Sequence, residues 1–93
     1  AYTAVDRAET EAALAQRINA EAVGELGIVA KSLGATVVHY STDYVFSGDG
    51  THPYREDDAP GPMSVYGRTK LDGERALAAS GADAVTFRLA WVY

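Results

Sequence analysis

Apolar positions recur every three or four residues between Thr10 and Leu33, which is the spacing of one face of a helix. The stripe consists of Ala15, Ile18, Ala22, Leu26, Val29 and Leu33. Thr10 is placed to cap the start of this helix, and Gly34 to end it in a left-handed conformation. Gly24 and Gly27 weaken a helix by about 1 kcal/mol each relative to alanine, so the pattern predicts a close neighbour that needs their space.

The remainder of the chain alternates between strand and helix patterns. Residues 35–42 are β-branched and mostly apolar, which is typical of a central parallel strand covered on both faces. A polar stretch rich in glycine and proline at 47–62 predicts a loop. A second helix is predicted over 64–79 and a second strand over 83–92. This order predicts parallel strands joined by right-handed crossovers, and therefore an α/β layered sheet.

The composition limits the kinds of protein and of binding partner that the chain can represent. The chain has 93 residues, 47% of them apolar and 23% charged, as expected for one small globular domain. It starts at Ala1 and ends in an apolar run, from which we expect a segment of a larger protein. A net charge of −5 without a basic stripe argues against nucleic acid and anionic membranes as partners. The absence of cysteine excludes disulfides and thiolate metal sites here and fits a reducing compartment.

The candidate chemistry lies in two short motifs, STD at 41–43 and YGRTK at 66–70. In parallel sheets ligands bind beyond the carboxyl ends of the strands, where STD is predicted to lie. Tyr66 and Lys70 are one turn apart on the same helix face, so the ammonium is expected to lower the phenol's pKa from its usual value of about 10. Such a tyrosine can protonate a carbonyl oxygen during reduction, and Thr42 could donate a hydrogen bond to the same oxygen. Because no side chain can supply a hydride, a nicotinamide cofactor is predicted.

The Tyr-x-x-x-Lys spacing by itself is a weak signal. Six tyrosines and two lysines in 93 residues give roughly 0.13 such pairs by chance. The pair gains weight from its position, because it opens a helix directly after a loop that follows a buried strand ending in Ser-Thr.

Together these stretches resemble the extended short-chain dehydrogenase/reductase family, and within it the branch that reduces 4-keto dTDP-sugars. The similar segments are AYTAVDRAE (1–9), INAEA (18–22), VVHYSTDYVFSG (37–48), PYREDD (53–58), PMSVYGRTKLDGE (62–74) and FRLAWVY (87–93). The resemblance implies a partial Rossmann-type, doubly wound parallel sheet. Residues 1–93 would be the central to C-terminal part of an NAD(P)-binding domain, with the Gly-rich N-terminal half and the substrate domain outside this segment.

The resemblance also implies a function. The expected reaction is NAD(P)H-dependent reduction of the 4-keto group of dTDP-4-dehydro-L-rhamnose to dTDP-L-rhamnose, a cytoplasmic step in nucleotide-sugar and cell-envelope carbohydrate biosynthesis. The cofactor would be NADPH or NADH, with room for Mg²⁺ bound by residues outside this segment. The full-length protein could be a homodimer, and residues 1–93 alone would be inactive.

Site residues follow from the resemblance position by position. The catalytic residues would be Tyr66, Lys70 and Thr42, with Lys70 on the nicotinamide ribose. The cofactor would also contact Ala1, Tyr2 and Thr3. The substrate would contact Thr42, Asp43, Tyr44 and Trp91. Asn19 matches a position that orients the helix and the site, and no residue is assigned to a metal.

Other interpretations remain open at this point. Asp43 could only cap a turn, Trp91 could be a core aromatic, and His39 reads as a satisfied core histidine. Leu89 and Ala90 depart from the family pattern, because many relatives carry hydroxyl residues after the arginine. For the whole chain, the alternatives are a non-catalytic regulatory subunit resembling that of methionine adenosyltransferase, or another nucleotide-sugar epimerase or reductase of the same superfamily.

Overall fold

A computed structural model describes residues 1–46 and 59–90. Its elements in chain order are α1 (Val5–Ala8), α2 (Ala12–Gln16), a π-helical turn (Arg17–Glu21), α3 (Ala22–Leu33), β1 (Thr36–Thr42), a 3-10 turn (Asp43–Val45), α4 (Val65–Ala79) and β2 (Asp83–Leu89). The predicted second helix and both predicted strands are confirmed. Their observed ends differ from the predicted ones by at most a residue or two wherever the structure describes the end. The short helix α1 was not predicted. None of the helices in the described ranges has the length and apolar character needed to cross a bilayer.

The first predicted helix is confirmed as one continuous helical run from α2 through the π-helical turn to α3. Gly34 ends it with a φ of 67°, the left-handed conformation that glycine adopts without strain. The predicted cap at Thr10 is wrong, because its hydroxyl donates to the Arg7 carbonyl at 3.0 Å. Glu11 occupies the cap position instead, without a side-chain hydrogen bond to the helix.

The predicted apolar stripe is wrong beyond Ile18. Leu26 and Leu33 are 62% and 75% exposed, while the buried positions of α3 are the small residues Gly27 and Ala30. The π-helical turn explains the change, since one extra residue rotates the helix face that follows by roughly 100°. A periodicity counted at 3.6 residues per turn therefore indicates the wrong face after that turn.

The buried face of α3 packs against α4, and the prediction that Gly24 and Gly27 make room for a neighbour is confirmed. A Cβ at Gly27 would lie 2.8 Å from the Ser80 Cβ and 2.9 Å from the Leu77 Cδ1. A Cβ at Gly24 would lie 3.1 Å from the Ala76 Cβ. The two helices approach closely because these positions carry no side chain.

Strands β1 and β2 pair in parallel, with Thr36 opposite Asp83 and Thr42 opposite Leu89. The helix α4 forms the crossover between them, which is the βαβ arrangement of a Rossmann-type α/β fold. Alternate residues of β1 face the helices, and the opposite face carries side chains that are about half exposed: Val38, Tyr40, Val85 and Phe87. The described residues cover one face of β1, and cover on both faces stays a prediction for the full-length protein.

Candidate active site

A cavity of about 340 Å³ opens at the carboxyl ends of the two strands. Its walls come from the N-terminal segment, the end of β1, the first turns of α4 and the end of β2: Ala1, Thr3, Val5, Tyr40, Ser41, Thr42, Tyr44, Tyr66, Lys70, Leu89 and Ala90. The three predicted catalytic residues thus line one cavity. Leu89 and Ala90, the two departures from the family pattern, form an apolar part of its wall.

Thr42 is the last residue of β1 and is buried. Its Oγ1 accepts the backbone N–H of Tyr44 at 3.2 Å, which holds the side chain at the start of the 3-10 turn. Because the oxygen accepts from the backbone, its hydrogen remains available as a donor. Thr42 lines the same cavity as Tyr66 and lowers the pKa of its phenol, as a donor to the phenolate does.

The pKa of the Tyr66 phenol is raised above its ordinary value of 10.0, mainly by burial. The hydrogen bond from Thr42 lowers it, while Tyr44 and the carboxylate of Asp43 raise it further. The predicted net lowering of this pKa by Lys70 is wrong, because the shift is upward and burial is its largest cause. Tyr66 is consequently protonated at neutral pH, as a proton donor must be.

Lys70 is 3% exposed, although its side chain carries a charge. Its Nζ donates to the backbone carbonyl of Tyr40 at 2.8 Å, which fixes the ammonium under the end of β1. Burial lowers the pKa of Lys70 below 10.5, and the negative charge of Glu74 raises it. The ammonium is thus held in place by a strand carbonyl and stabilised by a carboxylate of its own helix.

Two features place α4 against the cavity. Ser64 caps the helix, with its Oγ accepting the Gly67 N–H at 3.0 Å. A Cβ at Gly67 would overlap the backbone carbonyl of Tyr44, so only glycine lets the 3-10 turn approach the helix. That approach brings the rings of Tyr44 and Tyr66 into an edge-to-face contact, with centroids 5.6 Å apart.

Asn19 connects the N-terminal segment to α4 from inside the π-helical turn. Its Oδ1 accepts the Tyr2 N–H at 2.8 Å, and its Nδ2 donates to the Tyr2 carbonyl at 3.0 Å and to Thr69 Oγ1 at 3.1 Å. Thr69 in turn donates to the Tyr66 carbonyl at 3.0 Å. A Cβ at Gly73 would overlap the Asn19 carbonyl, so the π-helical turn sits directly on α4. These contacts fit the orienting role that the resemblance implied for Asn19.

The other predicted contact residues are placed unequally. Ala1 and Thr3 line the cavity, but Tyr2 does not, because its hydroxyl donates to Glu11 outside the cavity at 3.1 Å. Asp43 does not line the cavity either, and its buried Oδ1 has no hydrogen-bond partner in the described part of the chain. Trp91 lies outside the described residues.

His39 differs from its prediction as a satisfied core histidine. Both of its ring nitrogens are buried and find no hydrogen-bond partner among residues 1–46 and 59–90. Its pKa is lowered by burial and by the charge of Lys70, so the ring is neutral at neutral pH. The acidic run at 56–58 lies outside the described residues, and those that are described contain no cluster of three potential metal ligands.

Sequence reasoning missed one buried polar group beside the cavity, formed by Ser41, Glu74 and Arg88. Glu74 accepts from both of the others and lies one turn after Lys70 on α4. The i,i+4 spacing from Lys70 to Glu74 was the available signal, since it puts both side chains on one helix face. Pairing of the strands then brings Ser41 and Arg88 to the same carboxylate.

Parallel strands, a crossover helix with Tyr66 and Lys70, and Thr42 at the strand end define a Rossmann-type protein of the extended short-chain dehydrogenase/reductase class. Within that class, the chain belongs to the family described as the RmlD substrate binding domain, whose model matches residues 1–93. The resemblance drawn from the motifs is therefore confirmed.

Relatives and solved structures agree with this family. The chain is 53% identical over 93 residues to dTDP-4-dehydrorhamnose reductase of Salmonella typhimurium, covering 100% of this chain and 31% of that protein. It matches the crystal structure of the Clostridium acetobutylicum dTDP-4-dehydrorhamnose reductase with a TM-score of 0.97 and 44% identity, covering 100% of this chain and 33% of that one. For the crystal structure of the Bacillus anthracis dTDP-4-dehydrorhamnose reductase in complex with NADP, the TM-score is 0.96 and the identity 39%, with the same coverage of both chains. The chain thus spans about a third of the length of these relatives.

Proposed function

We propose that this chain is the part of a larger reductase that carries the proton donor and the cofactor lysine. The full-length protein reduces the 4-keto group of dTDP-4-dehydro-L-rhamnose to dTDP-L-rhamnose, using NADPH or NADH. The observation that carries the proposal is the meeting of Thr42, Tyr66 and Lys70 in one cavity at the strand ends. The similarity to dTDP-4-dehydrorhamnose reductases supports this substrate over other keto-sugars and over a non-catalytic subunit.

The proposed chemistry assigns each side chain a step. A nicotinamide cofactor, when bound, would supply the hydride for the carbonyl carbon. Tyr66 gives its phenolic proton to the carbonyl oxygen, and its raised pKa keeps that proton in place at neutral pH. Thr42 donates a hydrogen bond that stabilises the phenolate left behind, consistent with its lowering of the Tyr66 pKa.

Lys70 has the donors that a cofactor ribose needs. An ammonium carries three N–H groups, and the Tyr40 carbonyl accepts one of them. The remaining two find no acceptor among residues 1–46 and 59–90, and Lys70 lines the cavity. The ribose hydroxyls of a nicotinamide cofactor would satisfy them, so the residues present fit this group.

The remaining assignments follow the same family pattern. Ala1 and Thr3 would contact the cofactor through the cavity wall, and Tyr2 through its backbone, which Asn19 holds. Further proposed substrate contacts are Asp43, Tyr44 and Trp91. We propose that the Gly-rich half of the cofactor domain, the substrate domain and any Mg²⁺ ligands lie elsewhere in the full-length protein, which works in the cytoplasm as a homodimer.

The test is turnover by the full-length protein. Purified protein is mixed with dTDP-4-dehydro-L-rhamnose and either NADPH or NADH, and loss of the reduced cofactor is followed together with the sugar product by NMR. We expect stoichiometric formation of dTDP-L-rhamnose. Binding of both ligands without turnover would contradict the proposal and favour the non-catalytic regulatory subunit, while turnover of other keto-sugars alone would favour a different reductase of the superfamily.

A further inference from the structure

Glu74 is the centre of a partly buried polar group at the edge of the cavity. Its Oε2 accepts the hydroxyl of Ser41 at 2.6 Å, and its Oε1 accepts Nη2 of Arg88 at 2.6 Å. Arg88 Nε also donates to both carboxylate oxygens at 3.1 Å. With side-chain exposures of 11% for Glu74 and 23% for Arg88, this is a largely desolvated pair whose hydrogen bonds compensate its burial.

The partners of Glu74 lie at the cavity in both strands. Ser41 in β1 lines the cavity next to Thr42, and Arg88 in β2 directly precedes Leu89, which also lines it. One carboxylate on α4 therefore joins the ends of the two strands. The Arg88 guanidinium also lies 5.1 Å from the centroid of the Phe46 ring, which anchors it beside the apolar core.

Glu74 also supplies charge to the site. The charged and titratable groups near the Tyr66–Lys70 pair are His39 on β1, Asp43 in the 3-10 turn, Glu74 on α4, and Arg88 on β2, which is held on Glu74. His39 is neutral at neutral pH and the Asp43 carboxylate acts on Tyr66, so Glu74 is the carboxylate that acts on Lys70. That charge raises the pKa of Lys70 against the effect of burial.

We propose that Glu74 is a positioning residue of the reductase site, which fixes both strand ends under the cavity and keeps a negative charge one helical turn from Lys70. The inference rests on the proposed function for its consequence in catalysis. It goes beyond that function by assigning a role to a residue that lines no part of the cavity.

The first test compares Glu74→Gln with Glu25→Gln in the full-length protein. Glu25 is an exposed carboxylate on α3, so its substitution makes the same chemical change away from the site. We expect Glu74→Gln to lower kcat roughly 10- to 100-fold with little change in KM, because misplacement of positioned groups acts on the chemical step. The basic limb of its pH–rate profile should move to lower pH, since Lys70 loses its proton more easily. Glu25→Gln should match the wild type in both.

Ser41→Ala is the second variant, because it removes one hydrogen bond to Glu74 and leaves the ion pair with Arg88. We expect a severalfold fall in kcat, smaller than for Glu74→Gln, and a basic limb close to that of the wild type. If Glu74→Gln fails to fold, this graded effect still tests the proposal, and a wild-type kcat in Ser41→Ala would then overturn it.

A measurement that needs no turnover separates this inference from the proposed reaction. The pKa of Lys70 is followed by NMR of ¹³C-labelled lysine in the full-length protein, with its signal assigned by Lys70→Met. We expect a lower pKa in Glu74→Gln and an unchanged one in Glu25→Gln. Equal pKa values in the wild type and Glu74→Gln would overturn the proposal whether or not the protein reduces a keto-sugar.

Discussion

The two halves of α4 bury different kinds of side chain. Between Val65 and Leu71 the helix buries Thr69 and the ammonium of Lys70 and presents Tyr66 to the cavity. Between Asp72 and Ala79 its buried residues are Gly73 and Leu77, which contact the π-helical turn and α3. One helix thus holds reactive groups at its start and packs the domain with its end.

The difference shows that this helix buries a charged side chain where the proposed reaction needs one. Burying a lysine lowers its pKa and requires compensation, which Tyr40 and Glu74 provide. In the second half, Glu74 is compensated by Ser41 and Arg88, whereas the fully buried residues Gly73 and Leu77 pack without polar partners. Substitutions at Tyr66 and Lys70 should therefore change the reaction more than the fold, and those at Gly73 and Leu77 should do the reverse.

Tyr66→Phe should have the largest effect on the reaction. The ring and its contact with Tyr44 are kept, but the proton is lost. General acid catalysis contributes about 10²- to 10⁴-fold, and we expect kcat of the full-length protein to fall by that amount. Cofactor affinity measured by calorimetry and the urea midpoint should stay near the wild type. More than half of the wild-type kcat would exclude Tyr66 as the proton donor.

Lys70→Met should have the next largest effect, because it weakens binding as well as chemistry. The two N–H donors proposed for the ribose disappear, so the Kd for NADPH should rise along with a fall in kcat. In the pH–rate profile of the residual activity, the fall at basic pH should occur at higher pH than in the wild type. The group left to ionise is Tyr66, whose pKa is raised. A normal Kd with an unchanged pH profile would mean that Lys70 has a structural role alone.

Gly73→Ala tests the second half of the helix and should mainly reduce stability. Its Cβ would overlap the backbone carbonyl of Asn19, which cannot rotate away. We expect a loss of about 1–3 kcal/mol in the free energy of unfolding measured with urea, with most of kcat retained. A variant as stable as the wild type would show that the π-helical turn does not sit tightly on α4.

Gly24→Ala is the matched control and should have the smallest effect. Its Cβ would meet only the Ala76 methyl, at 3.1 Å, and alanine gains about 1 kcal/mol of helix propensity over glycine. We expect the two terms nearly to cancel in the same urea experiment. A loss equal to that of Gly73→Ala would indicate that the contact of α3 with α4 is as tight as that of the π-helical turn.

The sequence predicted what depends on local pattern. The spacing of apolar residues and the residues typical of helix and strand ends located α4, both strands and Gly34. The i,i+4 spacing put Tyr66 and Lys70 on one side of α4. The sequence could not predict the π-helical turn, whose extra residue turned Leu26 and Leu33 outward. The Glu74 group was also missed, because Ser41 and Arg88 meet only through strand pairing. The sign of the Tyr66 pKa shift depends on burial, which a spacing does not report.

The central claim is that Tyr66 is a protonated donor at the end of β1. The most direct test is an ultraviolet titration of the full-length wild type and of Tyr66→Phe. The absorbance of ionised tyrosine is recorded for both against pH, and the difference between the two curves is the signal of Tyr66. Since burial raises the Tyr66 pKa, this signal should have its midpoint above 10.0, the ordinary value. A midpoint below 10.0 would contradict the account and would mean that the Lys70 ammonium, rather than burial, governs the tyrosine.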